Sequence, residues 1–240
     1  MIRILASPHS HSAVKLGYPV YTDPEMALQD GYFRDDRSGD TLLRWGAVTG
    51  DDWDATINNK ESVALCRNKL ATLLKVHSVF RTPAIYMDAV PDGVKAVVRR
   101  TRHSGGSGFT LVTGPTQLEE GHFATKFIPN TKEYRVYFTP RSFLVGERTP
   151  FHEGGLADGC TPEDTCRSKW GYKFRMIPPA GLVEKCAKVR AVTGLDLGAI
   201  DAVYSESENK YYFLEVNTGP SLDRSKIVEF YHGYLSHVRR

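Results

Sequence analysis

Cysteine is scarce in these 240 residues, and the four present make no metal site. Five residues stand between Cys160 and Cys166, whereas paired thiolate ligands for zinc are separated by two to four. Cys66 and Cys186 fall on the apolar stripes of predicted helices and read as small core residues. Cys160 and Cys166 lie in a polar loop, where a reactive thiol is the alternative reading. No apolar run approaches the ~20 residues that span a bilayer. The N-terminus reaches Pro8, His9 and His11 too soon for the apolar region of a signal peptide, so the expected location is the cytoplasm. Charge is nearly balanced at +3, and no run of Lys or Arg exceeds three. That gives no argument for a nucleic-acid partner but suits a small anionic ligand. Several catalytic signatures are also missing. There is no Gly-x-x-x-x-Gly-Lys-Ser/Thr phosphate loop, no His-Arg-Asp or Asp-Phe-Gly kinase pattern, and no Gly-x-Ser-x-Gly or His-Glu-x-x-His.

What is present is an ordinary globular composition, 41% hydrophobic and 25% charged, enough for one or two compact domains with a sizeable core. Ile2–Leu5 reads as a strand, and the fifty residues after it are rich in loop formers, with no assignable architecture. From Asn59, a good N-cap, the positions Val63, Cys66, Leu70, Leu73 and His77 recur at helical spacing. They predict one helix of about four turns. Ile85–Tyr86, Lys95–Arg100, Phe109–Val112 and Phe123–Ile128 read as strands. Tyr134–Phe138 and Ser142–Val145 form a predicted hairpin around Thr139-Pro140-Arg141. Residues 150–172 are irregular and polar. Gly181–Thr193 is a predicted helix stopped by Gly194.

The chemistry concentrates in the final hairpin, Gly198–Tyr204 and Tyr211–Asn217. Residues two apart on a strand share a face, so Glu215 and Asn217 point the same way. Pairing Tyr204 with Tyr212 sets Asp201 opposite Glu215, with Cβ atoms about 4.5–5.5 Å apart. Two carboxylates that close repel unless a cation lies between them. Two carboxylates and an amide oxygen are the hard donors that Mg²⁺ prefers. A solvated hairpin carrying surface acids would show the same residues, so the neighbouring sequence has to decide.

The segment Ile200-Asp201, a turn, then Leu214-Glu215-Val216-Asn217-Thr218-Gly219-Pro220-Ser221-Leu222 resembles the metal-binding end of the ATP-grasp superfamily. That superfamily includes D-alanine–D-alanine ligase, glutathione synthetase and the ribosomal-protein glutamate ligases. Further features occur upstream in the family's order. Ala96-Val97-Val98-Arg99 followed by Gly105, Gly106 and Gly108 is similar to the basic strand and glycine-rich phosphate lid, where missing Cβ atoms let backbone N–H groups approach phosphate. Most relatives carry Lys where this chain has Arg99, and Arg100 is the alternative, although strand alternation turns it away. Asn68-Lys69-Leu70 matches a segment that supplies a phosphate-facing Lys.

The resemblance implies an α+β ATP-grasp fold, with two α+β subdomains clasping ATP between antiparallel sheets after a short N-terminal α/β-like segment. The implied divisions are 1–60, 61–128 and 129–240. It assigns Asp201, Glu215 and Asn217 to Mg²⁺ (or Mn²⁺ as a substitute). Lys69, Arg99 and the lid glycines go to phosphate, the backbone of Lys126, Phe127 and Ile128 to adenine, and Glu133 to the ribose hydroxyls. Arg135, Arg148 and Arg175 are the expected catalytic cations. The implied reaction is carboxylate–amine ligation through an acylphosphate, with a small-molecule or peptide carboxylate and an amine acceptor. Phosphorylation of a hydroxyl by the same fold, or nucleotide binding without turnover, are the alternatives. Residues 103–108 and 150–172 are candidate lids, His9 and His11 candidate pocket residues, and the oligomeric state is not legible.

Overall fold

The computed structural model describes residues 1–7, 12–22, 40–102, 109–129, 132–150 and 170–238. The lid glycines Gly105, Gly106 and Gly108 lie outside these residues, as do His9, His11, Cys160, Cys166 and most of the 150–172 loop.

The loop-rich start, for which the sequence offered no architecture, contains a parallel sheet. Strands β1 (Ile2–Ala6), β2 (Val20–Tyr21), β3 (Thr41–Trp45) and β4 (Thr56–Ile57) lie in the order β2-β1-β3-β4. The sheet shares an apolar core with Tyr137, Leu197, Ala199 and the last helix, and one buried amide side chain ties it there by hydrogen bonds. Asn58, fully buried with φ of 61°, donates from Nδ2 to the carbonyls of Arg44 and Leu197 at 3.3 and 2.9 Å. Its Oδ1 accepts from the amides of Asp196 and Leu197 at 2.9 and 3.0 Å. A short amide tolerates the left-handed backbone that this position requires.

The predicted four-turn helix is two helices, α1 (Lys60–Arg67) and α2 (Lys69–Val76). Asn68 between them is extended, with φ −87° and ψ 101°, and its side chain accepts from the Ala71 amide. The Lys69 amide donates across to the Thr101 carbonyl at 2.8 Å. The apolar spacing continues through the break, which is why periodicity alone missed it. Asn at that point, a poor interior residue and a good cap, was the available signal. His77, counted on the apolar face, lies exposed beyond the end of α2.

Strands β5 (Ile85–Tyr86), β6 (Ala89–Val90), β7 (Lys95–Arg100), β8 (Phe109–Thr113), β9 (Thr116–Gln117) and β10 (His122–Lys126) follow. Four of them form an antiparallel sheet ordered β5-β10-β7-β8, with β6 and β9 paired separately. The larger antiparallel sheet is β13-β12-β11-β14-β15, from β11 (Lys132–Phe138), β12 (Phe143–Pro150), β13 (Trp170–Phe174), β14 (Gly198–Ser205) and β15 (Lys210–Asn217). Helices α3 (Leu182–Thr193) and α4 (Ser225–Val238) and a 3-10 turn at Ala13–Leu16 are the remaining elements of the described residues.

The two faces of the larger sheet differ. Val136, Val145, Ile200, Ala202, Phe213 and Val216 share one core with Val63, Cys66 and Leu73 of α1 and α2 and with Leu182, Cys186 and Val189 of α3. Cys66 and Cys186 are thus core residues, and burial pushes both thiols up, Cys66 to about 12. Strand alternation turns the intervening residues of β11, β14 and β15 to the other face. That face carries the charges. Among the described residues no helix is long and apolar enough to cross a membrane.

Candidate active site

Asp201 and Glu215 are cross-strand partners on β14 and β15, as the sequence indicated, but the pairing of the strands differs. Tyr204 pairs with Tyr211, not Tyr212, and Ala202 pairs with Phe213. Pairing resumes at Asp201 and Glu215 because Leu214 is an extra residue, a β-bulge. Without the bulge, this hairpin register would set Asp201 opposite Leu214. The bulge also brings Leu214 beside Ile128, Val203 and Tyr212 in a small apolar cluster next to the carboxylates. Sequence reasoning missed the bulge itself, since nothing local marks one between two regular strands.

Asn217 completes the group. Its Nδ2 donates to Asp201 Oδ2 at 3.1 Å and to Glu215 Oε1 at 3.3 Å. Asp201 is 6% exposed, yet its charge is met on both oxygens. Arg135, its direct neighbour on β11, donates from Nε to Oδ1 at 2.6 Å and from Nη2 to Oδ2 at 2.7 Å. This forked pair is the strong form of an arginine–carboxylate contact. Burial works against the charge on Arg135, but Asp201 more than offsets it and holds the guanidinium protonated.

Glu215 is met by Lys69, whose Nζ stands 3.2 Å from Oε2 and 3.4 Å from the Val216 carbonyl. The break at Asn68 places Lys69 in the first turn of α2, facing β15. Burial raises the Glu215 carboxyl, but Lys69, Arg99 and Arg135 together outweigh it and bring the pKa down from 4.5 to about 2. Arg99 points inward from β7, with Nη2 at 3.4 Å from Thr125 Oγ1 and its guanidinium 5.9 Å from the Phe123 ring centroid. Its Nε is buried without a hydrogen-bond partner, and burial lowers its pKa against the pull of Glu215. Arg100 is exposed, so alternation selects Arg99.

Glu133 and Arg148 pair across β11 and β12 at 2.6 Å on the same face. Burial raises the Glu133 carboxyl, Arg148 opposes this, and Asp201 adds to it. Arg175 is not brought to this group. It pairs with Glu147, which alternation turns away from Arg148, and its charge acts on Tyr134, a residue of the helix-covered core. The hinge expectation is also narrowed. The Lys126 amide donates to the Ala84 carbonyl and the Phe127 amide to the Lys95 carbonyl, both at 2.8 Å. Ile128, 6% exposed, belongs to the apolar cluster with Val203 and Tyr212.

Four cations, Lys69, Arg99, Arg135 and Arg148, thus face three carboxylates, Glu133, Asp201 and Glu215. The excess positive charge suits a polyanion. For a divalent cation the donors fit. Asp201 and Glu215 offer carboxylate oxygens and Asn217 an amide oxygen. Among the described residues there is no group of three His, Cys, Asp or Glu for a metal, so a third donor beside the two carboxylates would have to be the amide. Because both carboxylates already have counter-ions, a cation arriving with its own phosphate anions fits this set better than a bare ion.

The architecture around this site is that of the ATP-grasp fold. Its solved representatives include D-alanine–D-alanine ligase from Bacillus anthracis, with TM-score 0.61 and 13% identity over 99% of this chain and 97% of that one. They also include the ATP-grasp ligase PsnB complexed with a minimal precursor, Mg and ADP, with TM-score 0.63 and 10% identity over 100% and 97%. A third is a RiPP-associated ATP-grasp ligase of Chryseobacterium gregarium in complex with ADP and a leader and core peptide, with TM-score 0.60 and 15% identity over 99% and 96%. No protein-family model and no curated protein matches the sequence.

Proposed function

We propose that this protein is an ATP- and Mg²⁺-dependent ligase that joins a carboxylate to an amine through an acylphosphate. The observation that carries the reading is the net positive cluster of Lys69, Arg99, Arg135 and Arg148 around Asp201, Glu215 and Asn217, on an ATP-grasp fold. The limits 61–128 and 129–240 are proposed as the two lobes, with 1–60 as the leading segment.

In this reading the adenine lies on Ile128, Val203, Tyr212 and Leu214, with the Ile128 backbone at its edge. Lys69 and Arg99 bind phosphate oxygens, and Glu133 turns from Arg148 to the ribose. Asp201, Glu215 and Asn217 would hold Mg²⁺, which supplies neutralisation of phosphate charge. Arg135 and Arg148 offset the charge of the substrate carboxylate as it approaches the γ-phosphoryl group. The carboxylate oxygen takes that phosphoryl group and ADP leaves. The amine then attacks the acyl carbon, phosphate departs with the C–O electron pair, and the amine loses a proton. No side-chain nucleophile is needed, since positioning supplies the rate.

Two of the structural neighbours were solved with peptide or precursor substrates, so peptide carboxylates are the first substrates to screen. A cytoplasmic location, with ready Mg-ATP, agrees with the reading. The test is Mg²⁺-dependent ADP release across a panel of peptides, amino acids and amines, with mass spectrometry of the products. An amide with loss of water supports the ligase. A stable phosphoester identifies a kinase instead, and nucleotide binding without ADP release identifies a non-catalytic binder.

A further inference from the structure

Arg135 has a partner that the reading above does not use. The Tyr172 ring lies with its centroid 5.3 Å from the Arg135 guanidinium carbon, within the range of a cation–π contact. This reach is unusual for the topology. Arg135 is on β11 and Tyr172 on β13, with β12 between them, so the two strands lie about 10 Å apart. Tyr172 is directly opposite Arg148, and the residue that separates its ring from Arg135 is Gly146, the cross-strand partner of Arg135 itself. A Cβ on Gly146 would stand 3.0 Å from Tyr172 Cβ and 3.3 Å from its Cδ1. The missing side chain at 146 is therefore what lets the ring lie over the guanidinium.

We propose that Tyr172, admitted by Gly146, is a positioning residue that holds Arg135 over the site when Asp201 turns its oxygens to the metal. This rests on the ligase reading. The contacts divide by direction. Asp201 holds the guanidinium through its forked N–H edge, the edge that must face an incoming anion. Tyr172 holds it from the opposite flank, its ring reaching over from β13 while Asp201 stands on β14. Exchange of Asp201 for a metal removes the first contact and leaves the second, so the forked donors become available without the side chain swinging away. Burial and the nearby charges of Asp201 and Glu133 raise the Tyr172 hydroxyl, which stays a neutral phenol with its ring electron density intact.

The experiment compares Tyr172→Phe, Tyr172→Leu and Gly146→Ala. For ADP formation, Tyr172→Phe keeps the ring face and stays within about twofold of the natural protein. Tyr172→Leu lowers kcat by about five- to thirtyfold, the range of a partly buried cation–π contact. KM for ATP changes less than threefold, because the nucleotide contacts are untouched. Gly146→Ala follows Tyr172→Leu. Equal kcat for Tyr172→Leu and the natural protein overturns the proposal, as does equal damage from Tyr172→Phe and Tyr172→Leu, which would make the hydroxyl the active group. A second arm needs no turnover. Solvent exchange of the Arg135 Nε–H, read by ¹⁵N NMR, stays slow in Asp201→Asn and accelerates at least fivefold in Asp201→Asn/Tyr172→Leu. Identical exchange in these two variants overturns the proposal whether or not the protein is a ligase. Failure of the ligase reading shows separately, as absence of Mg-ATP-dependent ADP release in the natural protein.

Discussion

Replacing Glu215 by Gln keeps the side chain's shape and removes the charge that Lys69, Arg99 and Arg135 surround. The carboxyl pKa falls from 4.5 to about 2 in the folded protein. At about 1.4 kcal/mol per unit, that difference contributes roughly 3 kcal/mol to stability. The folded state holds its proton less tightly than the unfolded chain. The contribution is therefore complete above pH ~4.5 and disappears as the pH falls through about 2. Urea unfolding followed by tryptophan fluorescence, from pH 7 down to pH 2, reads it directly. Glu215→Gln is expected to lie about 3 kcal/mol below the natural protein at pH 7 and to converge with it near pH 2. Lys69→Met removes the nearest cation, 3.2 Å away, and destabilises on its own by leaving the carboxylate less compensated. The double variant then costs less than the two singles together, with a coupling of at least ~1 kcal/mol. Parallel stability curves from pH 7 to pH 2, or additivity within about 0.5 kcal/mol, would show that the cations do not stabilise Glu215 as described.

Three further outcomes are expected. Glu215→Ala abolishes ADP formation in a folded protein, whereas Asp201→Asn, which keeps an oxygen donor, is milder; the reverse order in a steady-state assay would disprove the proposed ranking of the two ligands. Arg99→Ala lowers kcat/KM for ATP about tenfold to a hundredfold, as expected from loss of a charge-assisted hydrogen bond, and Arg99→Lys keeps substantial activity. The exposed Arg100→Ala serves as the comparison, and a crippled Arg100 variant beside an active Arg99→Ala would refute the inward register. Asn58→Ala leaves the Arg44 and Leu197 carbonyls and the Asp196 and Leu197 amides without their partner. It is expected to lower unfolding stability by about 3 kcal/mol, and a loss below ~1 kcal/mol would show that the staple is replaceable.

The amino-acid sequence by itself determined the features that depend on near neighbours in the chain. Alternation along β15 put Glu215 and Asn217 on one face, because i and i+2 on a strand share a side. The same rule chose Arg99 over Arg100. The helix at 182–193 and its Gly194 stop were legible from local spacing and a residue free to adopt φ of 71°. Tertiary structure alone decided what depends on distant segments. The bulge at Leu214 keeps Asp201 opposite Glu215 in a hairpin that would otherwise be one residue out of step, and no local pattern announces it. Arg175 turns away from Arg148, a facing that alternation cannot be counted to from β12 across 151–169. Nothing local marks Asn58, whose role exists only once Leu197 lies against it. Lys69 meets Glu215 because Asn68 ends one helix and starts another, bonded to Thr101 across the fold. Each of these rests on contacts between residues far apart in sequence, whose geometry exists only once the sheets and helices have packed.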